Sequence, residues 1–164
     1  MITLTPQPLT AEAFAPFGDV IETQDRDFFL INNGSTQRYH QLTTVSLDEQ
    51  GSAIISIFKA SALTMPLPII MLEKHPMGSQ AFIPMQDAAF LIVVAPESEF
   101  IDPTKIKAFI SHDKQGINYR RNVWHHPILA LNDNDDFLVV DRTGPGDNCD
   151  EFYFPQGQSI LLSP

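Results

Sequence analysis

Turn-forming residues interrupt this chain so often that no long helix fits between them. In order, "EQGS", "MPLP", "PMGS", "HDKQG", "NDNDD" and "RTGPGDN" each combine Gly, Pro, Asn, Asp or Ser in the way that bends a backbone. Short apolar or alternating runs lie around and between them. These are "AIISIFKA" (53–60), "PIIMLEKH" (68–75), "SQAFIPM" (79–85), "AAFLIVVAP" (88–96), "IKAFI" (106–110), "PILAL" (127–131) and "DFLVVDR" (136–142). Runs of this length, rich in β-branched and aromatic residues, read as strands. Many short strands at close spacing predict an all-β sandwich or barrel. The thirteen prolines fit that class at strand ends, edges and turns. Only "LTAEAFAPFGDVIE" (9–22) offers a helix, with Thr10 as its cap, Glu12 at its positive end, and Pro16 and Gly18 as its stop.

The 164 residues are expected to form one domain, 1–164, long enough to bury roughly 70% of the unfolded surface. The twelve phenylalanines are expected to fill its core. A formal net charge of −10, with basic residues scattered, argues against a nucleic-acid or anionic-membrane partner. A small anionic substrate stays compatible, because a few arginines in a pocket act locally. The single cysteine, Cys149, allows no intramolecular disulfide and points to a reducing compartment. The stretch "MITLTPQPLT" lacks the basic and apolar regions of a signal peptide, and no apolar run is long enough to span a bilayer. A cytoplasmic location is the expectation.

Three patches carry chemistry-bearing residues. In "LEKHPMGSQAFIP" (72–84), alternation along a strand puts Glu73 and His75 on one face, and Gln80 can return to that face from the next strand. A solvated edge with an ordinary Glu and His explains the same pattern. In "RNVWHHPIL" (121–129), His125 and His126 must point to opposite faces, so at most one enters a given pocket. Pro127 biases His126 towards an extended strand boundary. The third patch, "DFLVVDR" with "TGPGDNCD", ends an apolar strand on Asp141 and Arg142, at a rim or simply in solvent. The loop "INNGSTQRYH" (31–40) adds Asn33 and Arg38, which can hold a carboxylate or merely build turns.

Other signals fail. "GPGDNC" lacks the third glycine and the strand–helix setting of a dinucleotide fingerprint, and "NDNDD" lacks the glycine and distal glutamate of a calcium loop. There is no phosphate loop and no nucleophile elbow. Cys149 has no base beside it in sequence.

The stretch "EKHPMGSQAFIP" followed later by "NVWHHP" closely resembles the ureidoglycolate lyase family of allantoin catabolism. "FGDVIE", "RDFFLINNG" and "FLVVDR" with "DNCD" fit the same family in the same order. The resemblance implies a cupin-like double-stranded β-helix, a jelly-roll barrel, and a homodimer. It implies cleavage of (S)-ureidoglycolate to glyoxylate and urea. Glu73, His75 and Gln80 fall where a cupin's first motif carries its ligands, and His125 where the second carries its histidine; His126 becomes the bystander. His75, His125, Glu73 and Gln80 are thus the candidate ligands of a divalent metal, nickel by the resemblance. Because Gln is a weak neutral ligand standing where cupins have histidine or glutamate, a metal-free site is the open alternative.

Ureidoglycolate carries a hydroxyl, a carboxylate and a ureido nitrogen on one carbon. Its cleavage needs a base for the hydroxyl proton and an acid for the departing nitrogen, roles that a histidine suits. His125, His75 and Glu73 are the catalytic candidates. Gln80 is expected on the ureido group, with Arg38 and Asn33 as the carboxylate clamp and Arg142 or Arg121 as substitutes. Two other readings share this frame: a metal-dependent cupin oxygenase or isomerase, and a non-catalytic module that binds a small acid.

Overall fold

The computed structural model describes residues 1–164 and is mainly β, with 43% of residues in strands and 6% in helix. The one α-helix, Ala11–Phe14, is a single turn. Thr10 caps it as expected, its Oγ1 accepting the Ala13 N–H at 3.1 Å.

Two sheets form the body. The five-stranded sheet runs Gly18–Ile21, Gly116–Tyr119, Gln80–Pro84, Asp135–Thr143 and Ser52–Ala60. The larger sheet runs Asp150–Tyr153, Met71–Lys74, Trp124–His125, Phe90–Ala95, Lys107–Ile110 and Gln7–Pro8, with Leu129–Ala130 also paired to Phe90–Ala95. A three-stranded sheet of Ile2–Leu4, Ile160–Leu162 and Leu67–Pro68 makes a further layer. Every residue of Phe90–Ala95 is buried, and alternation sorts them. Phe90, Ile92 and Val94 enter one core with Phe82, Phe137 and Val139; Leu91, Val93 and Ala95 enter the other with Leu72, Trp124 and Leu162. That is why "AAFLIVVAP" is apolar throughout rather than alternating. The sheets stack in a cupin-like β-sandwich without barrel closure, which bears out the mainly β, cupin-like class.

Half of the phenylalanines behave as expected. Phe14, Phe17, Phe82, Phe90, Phe109 and Phe137 are buried, and Phe14, Phe17 and Phe109 meet edge to face or tilted at 5.6–6.1 Å. Phe28, Phe29, Phe58 and Phe100 are exposed. Phe29 opens, and Phe28 directly precedes, a separate hairpin, Phe29–Ile31 with Thr36–Arg38, whose strands pair only with each other. No helix is long and apolar enough to cross a membrane.

Candidate active site

The site lies where the ends of the two large sheets meet. On the larger sheet, Glu73 and His125 are direct cross-strand partners. On the five-stranded sheet, Gln80 pairs with Tyr119. The Tyr119 ring stacks on His125 at 4.1 Å and 8°, joining one sheet to the other. His75 follows directly after its strand, and its ring lies 5.0 Å from that of His125. Glu73, His75, Gln80 and His125 are therefore brought together, drawn from residues up to 52 positions apart.

His125 is 1% exposed. Burial first, and the neighbouring His75 second, pull its pKa from 6.5 down to about 3, so the ring is neutral near neutral pH. Its Nδ1–H donates to the Val123 carbonyl at 3.1 Å, which leaves the lone pair on Nε2. That atom is buried and has no hydrogen-bond partner; the nearest acidic oxygen, Glu73 Oε1, is 3.8 Å away. His126 is the partly buried neighbour on the opposite face, its Nδ1 donating to the Pro127 carbonyl.

His75 is held from both sides. Its Nδ1 lies 2.7 Å from the Asn148 carbonyl oxygen and its Nε2 lies 2.9 Å from Gln80 Oε1. Both oxygens accept, so whichever ring nitrogen carries the proton finds an acceptor in place. Gln80 completes its amide by donating from Nε2 to Asp141 Oδ2 at 3.1 Å. Glu73 receives the Cys149 thiol at Oε2, 3.3 Å away, and burial and Glu73 push that thiol's pKa up to about 11. Burial and Glu73 likewise raise the Tyr119 phenol, which stays protonated.

The ligand atoms of Glu73, His75 and His125 all lie within 4.8 Å of one another. Two imidazoles and a carboxylate suit a divalent transition ion. The orphaned Nε2 of His125, with its far nitrogen fixed by a backbone carbonyl, is how a ligating histidine is usually oriented. The residues fit such an ion.

The arginines are differently placed. Arg142 is buried and committed: Nε reaches Asp48 Oδ1 at 2.7 Å, and Nη2 reaches Asp48 Oδ2 at 3.3 Å and the Pro145 carbonyl at 2.6 Å. It ties the 48 region to the turn that leads to Asn148. Arg38 and Asn33 sit exposed on the separate hairpin, Asn33 at φ 56°, and neither side chain bonds to the site residues. Arg121 donates from Nε to the carbonyl of Pro76, the residue after His75. Tyr119, Asn148 and the Glu73–Cys149 contact were not anticipated. They arise from strand register and from a returning loop, which no local motif encodes.

A mainly β sandwich with an acidic and two imidazole groups at its rim defines a cupin-like small-molecule site. Against known proteins, the ureidoglycolate lyase family model matches residues 1–161. The chain is 59% identical to the ureidoglycolate lyase of Stutzerimonas stutzeri, covering 100% of this chain and 97% of that protein. It is 59% identical to that of Pseudomonas entomophila and 57% to that of Pseudomonas aeruginosa strain PAO1, over 99% and 98% of their lengths. This chain belongs to the ureidoglycolate lyase family.

Proposed function

We propose that the protein is a carbon–nitrogen lyase that splits (S)-ureidoglycolate into glyoxylate and urea in allantoin catabolism. The observation that carries the reading is a neutral, buried His125 with a free Nε2 beside His75, whose two ring nitrogens both face acceptor oxygens. The site offers a lone pair, a carboxylate and a proton donor together, which is the set this elimination needs.

In the proposed reaction, His125 Nε2 stays unprotonated and accepts a hydrogen bond from a ureido N–H of the substrate, while the Glu73 carboxylate takes the hydroxyl proton. The oxygen's electron pair becomes the new carbonyl bond of glyoxylate as the carbon–nitrogen bond breaks. His75 Nε2–H then supplies the proton that completes urea. Glu73 and His75 are only partly buried, so solvent resets their protons. Gln80 orients His75. Glu73, His75, His125 and Gln80 Oε1 are the residues that would hold a divalent ion, which would lower the pKa of a coordinated hydroxyl. His75 Nε2 would have to release its proton to join that set, so ion binding and the proton compete for one atom.

For the substrate carboxylate, Arg142 is already spent on Asp48. Arg121 hangs from Pro76 beside His75 and is our first choice. Arg38 and Asn33 serve only if their hairpin is brought to a site by a second copy. A homodimer is part of the reading. Ser52–Ala60 is an edge strand whose Ile55 and Ile57 are 72% and 58% exposed, and an isolated two-stranded hairpin is marginal in water unless something covers it. The 1–164 chain acts as one cytoplasmic domain, with strand Phe90–Ala95 feeding both cores.

Product analysis with fresh racemic ureidoglycolate, corrected for spontaneous decay, tests the function. Equal glyoxylate and urea from half of the racemate is the expected result. Ammonia release, or no acceleration over the enzyme-free control, would overturn it. Repeating the assay after chelation and metal return decides whether an ion takes part.

A further inference from the structure

We propose that Asp141 is a positioning residue for the lyase reaction: it fixes which end of the Gln80 amide faces His75. The inference rests on the proposed function for its kinetic consequence, and on geometry alone for the contact.

Gln80 and Asp141 occupy the rung next to the pair Val140–Ala81, on neighbouring strands of the five-stranded sheet. Alternation from the buried Phe82 and Val139, which face each other in the core, puts both side chains on the inner face. There Gln80 Nε2 lies 3.1 Å from Asp141 Oδ2, and Gln80 Oε1 lies 2.9 Å from His75 Nε2. A carboxylate only accepts, so it selects the NH₂ end of the amide. Turning the amide over would press Oε1 against the carboxylate and present NH₂ to His75.

Asp141 has no other role that accounts for it. No lysine or arginine pairs with this partly buried carboxylate, although Arg142 is its neighbour in sequence; Arg142 pairs with Asp48 instead. The only side-chain hydrogen bond of Asp141 goes to Gln80. A carboxylate spends that bond on orientation. The chain Asp141–Gln80–His75–Asn148 then sets His75 Nε2 as a donor, the state the departing nitrogen needs.

Asp141→Asn is nearly isosteric but can present either an oxygen or an NH₂ group, so the Gln80 amide is free to turn. In wild-type background it should lower kcat about 10- to 100-fold, with KM within about twofold. In a Gln80→Ala background the same change should cost nothing further. The Gln80 side-chain NH₂ signal, assigned in ¹⁵N spectra by its loss in Gln80→Ala, should shift in Asp141→Asn. Asp141→Ser serves if Asp141→Asn fails to fold. Wild-type kcat in the variant, or losses that simply add to those of Gln80→Ala, would overturn the proposal. If wild-type enzyme does not cleave ureidoglycolate, the lyase reading fails separately; the Gln80 signal then decides, an unmoved signal overturning the contact and a shifted one supporting it.

Discussion

His125 concentrates the physics of the site. Burial makes protonation costly, a backbone carbonyl fixes the tautomer, and Tyr119 fixes the plane. His125→Asn keeps a polar group but moves the lone pair, and kcat should fall about 10²- to 10⁴-fold with little change in far-UV circular dichroism. Activity near wild type would remove His125 from the reaction. The same residue makes a stability prediction. Its pKa is depressed on folding, from 6.5 to about 3, so the unfolded chain binds more protons between those values. The contribution is fully present above about pH 6.5 and is lost as pH falls towards 3. Denaturation midpoints measured across that range should fall more steeply for wild type than for His125→Asn. Much of this was legible in "NVWHHP": opposite faces for the two histidines follow from strand alternation alone. That His125 rather than His126 is the site candidate came from the family resemblance, since a two-residue strand has no periodicity to read; its burial came from the fold.

Among elements, long apolar strands were readable and pairings were not. Ser52–Ala60, Phe90–Ala95 and Asp135–Thr143 lie where the apolar runs stand, within a few residues. Gly116–Tyr119 and Asp150–Tyr153 were missed because they are short or polar and owe their conformation to neighbours in the sheet. Arg142 shows the same limit. Sequence places it at a strand end, but only the fold shows that Asp48, 94 residues away, occupies its fork. The clamp is therefore best tested between the two remaining candidates. Arg121→Lys should raise KM about tenfold or more with kcat largely kept, because an ammonium cannot copy a bidentate guanidinium. Arg38→Lys should do so only if the exposed hairpin reaches a site. Steady-state kinetics on both variants separates the cases.

For the whole molecule, the proposed dimer rests on the unpaired edge strand and the free hairpin. Ile55→Lys with Ile57→Lys should shift the protein from dimer to monomer in sedimentation at micromolar concentration. Monomeric wild-type protein would sink the dimer. Elsewhere, the molecule is bound together by Phe90–Ala95. Its odd and even residues belong to different cores, so both cores lose packing together when that strand leaves. Native-state hydrogen exchange should therefore find its amides among the last to exchange, at the free energy of global unfolding and on both sides of the strand alike. Thermal unfolding should be one cooperative event rather than two.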